Sequence, residues 1–192
     1  VSVDIERVER LVRELLEAVG EDPSREGLSN TPHRIAAMYA ELFSGMTEDA
    51  ADHLTVSFAA EHDEMVMVRD IPFASLCEHH MVPFIGRAHL GYIPGEDGRI
   101  TGLSKLARVV DTYAHRLQVQ ERMTTQIADT MEEALEPRGV LVVVEAEHLC
   151  MSMRGVKKPG TLTITSAVRG LFRDDPRTRA EAMNFVHSRW TS

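Results

Sequence analysis

Apolar residues recur at helical spacing near the start of the chain, where Ile5, Val8, Leu11, Val12, Leu15, Leu16 and Val19 form one stripe. Asp4 stands where a helix N-cap is wanted and Gly20 where a helix stops, so the pattern predicts an amphipathic helix between them. A second stripe, Ile35, Met38, Tyr39, Leu42 and Phe43, follows Thr31-Pro32, a cap and a first-turn proline, and runs out at Gly45. Two helices with no partner sheet are expected to form an N-terminal arm over residues 1–50, their stripes buried as core or subunit contacts. Arg34, on the second helix, reads by itself as solvated surface.

From Leu54 the period changes. Met65 to Val68 and Ile85 to Ile93 are rich in β-formers, and Ala88, Leu90 and Tyr92 alternate with Arg87, His89 and Gly91, which predicts two strands. Ser75 to Pro83 is expected to be a loop between them, and Pro94-Gly95-Glu96-Asp97-Gly98 a turn. Helical spacing returns with Leu103, Leu106, Val109, Val110 and Tyr113. After a break near Leu117 it resumes with Val119, Met123, Ile127, Met131 and Leu135. Val140 to Glu145 and Thr161 to Val168 predict two more strands, and a last helix is expected from about Asp175 to Trp190. The order ββααββ over residues 51–192 favours an α+β class: an antiparallel sheet with helices on one face. The uncovered face needs a partner, and oligomerisation would supply one.

Composition narrows the function classes. With 192 residues and 43% apolar content the chain can bury one substantial core. A net charge of −9 opposes broad contact with nucleic acid or an anionic membrane, so any anionic ligand must be met locally. No signal-peptide apolar region, membrane span, repeat or low-complexity run is visible, and a cytoplasmic location is expected. A start at Val1 suggests a trimmed or processed chain, so the first residues say nothing about targeting.

Both cysteines lie beside histidines, in Ser75-Leu76-Cys77-Glu78-His79-His80 and in Glu147-His148-Leu149-Cys150-Met151. In a reducing compartment such thiols point to metal or catalysis rather than to a disulfide. Cys77, His80 and Cys150 supply the three soft and nitrogen ligands of a zinc ion with one open position. Spacing alone leaves His79 as a rival to His80, and His148 could equally be a satisfied core histidine. Its placement two before Cys150 would put both on the same side of a strand.

Taken together, these residues resemble the GTP cyclohydrolase I family. The resemblance runs through Thr31-Pro32-His33-Arg34, Ser75 to His80, Gly102-Leu103-Ser104-Lys105-Leu106-Ala107-Arg108, Gln118-Val119-Gln120-Glu121-Arg122, His148-Leu149-Cys150 and Arg154-Gly155. It implies the T-fold, sheets joined into barrels, a homodecamer of two stacked pentamers and active sites at subunit boundaries. It also implies a reaction: hydrolytic opening of the guanine imidazole ring of GTP, loss of C8 as formate, and reclosure to 7,8-dihydroneopterin triphosphate, the first step of tetrahydrofolate biosynthesis. By resemblance Cys77, His80 and Cys150 hold Zn2+, which lowers the pKa of the attacking water. His79 is similar to the family's acid at guanine N7 and His148 to the donor at the ribose ring oxygen, with Ser104 a helper in the sugar rearrangement. Glu121, with Gln120 beside it, would anchor guanine N1–H and N2–H. Arg34, Lys105, Arg108 and Arg154 would meet the triphosphate. Two positions depart from common forms of the motifs: Leu117, where many members have proline, and Ala37, where many bacterial members carry a basic residue.

Two other readings make different demands. Another T-fold enzyme, such as a nitrile reductase, needs a nucleophilic cysteine without zinc. A non-catalytic purine- or pterin-binding module needs neither His79 nor His148, and a fourth protein ligand would close its zinc site.

Overall fold

The computed structural model describes residues 2–188, so the end of the last expected helix, Arg189 and Trp190, lies outside the described residues. In chain order the elements are α1 (Ile5–Ala18), α2 (Thr31–Leu42), two 3-10 turns (Ser44–Thr47 and Ala50–Leu54), β1 (Ser57–Ala59), β2 (Val66–Cys77), β3 (Pro83–Ile93), β4 (Arg99–Thr101), α3 (Leu103–Ala114) and β5 (Leu117–Gln118). They continue as α4 (Gln120–Leu135), β6 (Gly139–His148), α5 (Leu149–Ser152), β7 (Leu162–Gly170), α6 (Leu171–Asp174) and α7 (Pro176–His187).

The Asp4 carboxylate accepts from the Arg7 amide and caps α1 as its position predicts. At α2 the cap residue is Asn30 rather than Thr31, and Pro32 occupies the first turn, where its missing N–H costs nothing. The expected burial of the two stripes is only partial within one chain. Val12 is buried on α1, and Pro32 and Ala36 on α2, but Leu11, Leu15 and Met38 stay exposed.

The main sheet has the order β5-β2-β3-β6-β7, antiparallel except for the short β2–β5 pairing. β2 is far longer than the four residues its alternation suggested. A bulge at Arg69-Asp70, with Asp70 in the left-handed region, interrupts the period, and the strand then resumes to Cys77. Pro72 is accommodated because β5 pairs only with Leu76 and Cys77, leaving the Pro72 side of β2 an open edge.

One face of the sheet carries Ala88, Leu90, Tyr92, Val140, Val142 and Val144 against α3 and α4, which contribute Leu106, Val109, Val110, Met123, Ile127 and Met131. This is the expected helical layer and the main core. The opposite face is not bare: Ile93, Leu141 and Val143 pack beneath Phe172 of α6 and Ala182 of α7. That cover stops short of the end of the sheet where β2 and β6 finish. There Ile85, Leu162 and Ile164 are 52%, 56% and 60% exposed. Gly86 leaves no room for a side chain between β3 and β6, since a Cβ there would lie 1.9 Å from the Glu145 carbonyl.

Candidate metal centre and nucleotide site

Cys77 is the last residue of β2, so the predicted loop is shorter than expected and spans only residues 78–82. The turn is tight because the Cys77 carbonyl accepts from the amides of His80 and Met81, while the Cys77 amide donates to Val82. Met81 takes up a left-handed backbone to complete it. This reversal folds His80 back over Cys77. β3 separates β2 from β6, and the chain leaves β6 at His148 to enter α5, whose first turn carries Cys150. His148 and Cys150 therefore do not share a strand, as their spacing had suggested; the backbone turns between them.

The ligand atoms of Cys77, His80 and Cys150 all lie within 4.8 Å of one another. Two thiols and one imidazole at that spacing suit a soft divalent ion, and both cysteines are free. Burial, followed by the neighbouring Cys77, pushes the Cys150 thiol up, a cost that a bound cation would reverse. Glu147 fastens the loop after Cys150 by accepting from the Ser152 hydroxyl at 2.5 Å and the Gly160 amide at 2.9 Å, and these bonds hold its carboxyl below the ordinary range. On the other side Arg122 pairs with Glu78, which lowers the Glu78 carboxyl, and Arg122 Nε donates to Gln118 at 3.1 Å.

His79 lies on the same turn with Nδ1 3.8 Å from the Cys77 sulfur, its ring nearly perpendicular to that of His80. His148 is held on two sides. Its ring stacks on Phe84 at 4.8 Å and 4°, the cross-strand neighbour set by the β3–β6 register, and its Nε2 lies 2.8 Å from Gln120 Oε1. Burial pulls the His148 pKa down, with the Glu121 carboxylate opposing it. Glu121 is exposed in the first turn of α4, and its carboxylate takes no hydrogen bond or ion pair among the described residues. Gln120, expected beside Glu121 at a purine, is buried, with its side-chain atoms bonded inside the protein.

The remaining predicted residues are more scattered. Arg154 lies close enough to Cys150 to oppose the rise of its pKa. Ser104, Lys105 and Arg108 stand in the first half of α3, whereas the end of α3 leads to β5 beside Cys77. At 1.5 Å per residue Lys105 is roughly 14 Å from that end. Arg34 is exposed on α2. Among the described residues Arg34, Lys105, Arg108 and Arg154 form no ion pair, so four cations remain free for an outside anion. Sequence reasoning did not single out Phe84, whose only signal is its register opposite His148.

Three ligands that leave a coordination position open are the donor count of catalytic rather than structural zinc sites. Fold and site together place a Cys/His/Cys group able to hold a metal ion at one end of an antiparallel α+β sheet. Comparison with known proteins then supplies the family. The model of the family described as GTP cyclohydrolase I matches residues 8–187. GTP cyclohydrolase 1 of Thermobifida fusca is 62% identical over 188 residues, covering 98% of this chain and 91% of its own. The proteins of the same name from Clostridioides difficile and Bacillus cytotoxicus are 62% and 58% identical, covering 96% and 98% of this chain and 97% and 99% of theirs. The solved apo structure of an archaeosine synthase QueF-like protein aligns with a TM-score of 0.46 at 19% identity, over 55% of this chain and 93% of that one. The chain belongs to the GTP cyclohydrolase I family.

Proposed function

We propose that the protein is a zinc-dependent GTP cyclohydrolase, opening the imidazole ring of GTP, releasing formate and reclosing the product to 7,8-dihydroneopterin triphosphate for tetrahydrofolate biosynthesis. The observation that carries this reading is the convergence of Cys77, His80 and Cys150 in a chain of that family. Zinc held by these three residues would act as a Lewis acid that makes hydroxide available to C8 near neutral pH.

The chain's own groups do the rest. Glu121, an unpartnered carboxylate at a helix start, accepts from guanine N1–H and N2–H. Gln120 stands beside it with its side chain committed to His148. His79 delivers a proton to N7 and so makes C8 electrophilic, and His148 protonates the ribose ring oxygen when that ring opens. Ser104 assists the sugar rearrangement, while Arg34, Lys105, Arg108 and Arg154 bind the triphosphate.

The separation of Lys105 from the Cys77 end of its own chain supports a site completed by a second copy. The exposed Ile85, Leu162 and Ile164 provide an apolar surface for such contacts. The assembly proposed is a homodecamer of two stacked pentamers in the cytoplasm, where free thiols stay reduced.

Incubation with GTP, with formate, pterin absorbance and zinc content measured on one preparation, tests the reading. Formate in step with pterin, lost on chelation and restored by zinc, is expected. GTP bound without formate would instead make the protein a purine-binding module. Light scattering on the same preparation tests the assembly, and a monomer that turns over GTP would refute the shared site.

A further inference from the structure

Gln120 is polar, 1% exposed and anchored from three directions. Its side-chain nitrogen lies 3.0 Å from the Val144 carbonyl, 3.0 Å from the Thr163 carbonyl and 3.2 Å from the Thr165 hydroxyl. Carbonyl oxygens can only accept, so the end of the amide facing them must be the NH2 group. The hydroxyls agree with this direction. Thr124 donates to the Gln120 backbone carbonyl at 2.7 Å, which leaves Thr165, 2.7 Å away, to donate to Thr124 and keep a lone pair for the Gln120 side chain. Gln120 Oε1 therefore faces His148 Nε2 at 2.8 Å, and as an acceptor it requires a proton on that nitrogen. Stacking on Phe84 fixes the plane of the ring, and a half-turn that keeps that plane would set Cε1, not the other nitrogen, against Gln120 Oε1. His148 Nδ1 forms no hydrogen bond among the described residues.

We infer that Gln120 is a positioning residue that locks His148 as the Nε2–H tautomer and so makes Nδ1 the atom that exchanges a proton with the nucleotide. The catalytic part of this inference rests on the reading of His148 as the ribose proton donor. In that step the Nδ1–H bond breaks, the proton passes to the ring oxygen, and His148 is left as the neutral Nε2–H form that Gln120 accepts from. A glutamine in this place outperforms a carboxylate because the opposite end of the group must donate to two carbonyls. Its partners lie on β6 and β7, so two strands and a helix together set one tautomer.

The test uses the full zinc-loaded protein labelled with 15N in its histidines and examined by solid-state NMR, His148 being assigned by the signals missing from His148→Ala. Without nucleotide, neutral His148 should carry its proton on Nε2; a proton on Nδ1 would overturn the inference. Gln120→Leu, which keeps bulk but removes the acceptor, should lose the tautomer preference and retain zinc. Its kcat should fall with little change in KM, by no more than the about 100- to 10,000-fold expected for losing a positioned proton donor. Adding Gln120→Leu to His148→Ala should leave kcat where His148→Ala put it, whereas additive losses would give Gln120 a role apart from His148 and overturn the inference. Should the Gln120 variant fail to fold, the spectrum of the unaltered protein still decides. That spectrum needs no turnover, so a wrong role for His148 and a wrong pairing with Gln120 give different results.

Discussion

Replacing Phe84 by leucine should damage stability and catalysis together, whereas the same change at Phe73 should damage stability alone. Both rings are buried and meet edge to face at 5.8 Å and 74°, but only Phe84 also stacks on His148. An aromatic pair contributes about 0.5–1.5 kcal/mol beyond its buried area. A hydrophobic core swap of similar size costs up to about 1.5 kcal/mol. Phe73→Leu loses one pair and should cost about 0.5–3 kcal/mol; Phe84→Leu loses two and should cost about 1–4.5 kcal/mol. Thermal midpoints measured at one protein concentration and one zinc concentration give the ranking. Steady-state kinetics with GTP give the second axis. With its ring free to rotate, His148 in Phe84→Leu should support at least tenfold lower kcat, while Phe73→Leu keeps kcat and both keep zinc. An unchanged kcat in Phe84→Leu, at the expected loss of stability, would refute the claim that the stack aligns His148.

Three further outcomes are expected. His80→Ala should lose zinc and activity together, while His79→Ala should keep zinc and lose about 100- to 10,000-fold in kcat; zinc loss in His79→Ala with retention in His80→Ala would exchange the two roles. Glu121→Ala should retain zinc and fail to use GTP, and the intact enzyme should disfavour inosine triphosphate, which lacks the exocyclic amine; equal use of both nucleotides would reject the carboxylate anchor. Stability should fall as pH drops below about 6.5, because burial holds His89 neutral in the fold against the pull of Asp70 and Glu145, while the unfolded chain takes up a proton there. The contribution is complete above the unfolded pKa and is lost from there down toward the lowered folded one. His89→Asn, which keeps an acceptor for the Asp70 amide, should flatten that part of a melting-temperature profile, and an unchanged slope would remove His89 as its cause.

The long helices and the four main strands were legible because their apolar periods run far enough to show, as in α4 from Gln120 to Leu135, whereas β1, β4, β5, α5 and α6, of two to four residues each, are too short to carry a period. The reach of β2 was not. Asp70 breaks the alternation with a left-handed residue, and Pro72 reads as a strand breaker unless the open edge beside it is known. Cys77, His80 and Cys150 could be grouped from ligand chemistry without knowing the path between them. The turn at Leu149 carries no such mark, so His148 and Cys150 were expected on one strand. Gln120 was the hardest to read, since the carbonyls that orient its amide come from Val144 and Thr163, separated from it in sequence by 24 and 43 positions. The cover of the second face by Phe172 and Ala182 likewise depends on a chain reversal at Gly170, whose left-handed backbone lies where a Cβ would meet the Arg138 carbonyl at 2.2 Å.

The placement of the three ligands also bears on how the chain reaches its final state. Cys77 and His80 belong to the end of β2 and the turn after it, Cys150 lies just past β6, and β3 runs between the two strands. The three ligands meet only when two antiparallel pairings have formed: the β2–β3 hairpin closes just residues 78–82, whereas the β3–β6 pairing closes the long stretch between Ile93 and Gly139, at an entropic cost that slows folding. A one-residue slip of β3 against either neighbour would turn alternate side chains to the wrong face and displace the ends by about 3.4 Å. Misregistered intermediates then present two thiols and an imidazole that cannot surround one ion. A metal held by these three residues would stabilise only the chain whose three strands have found their register, so ion loading would act as a check on strand pairing.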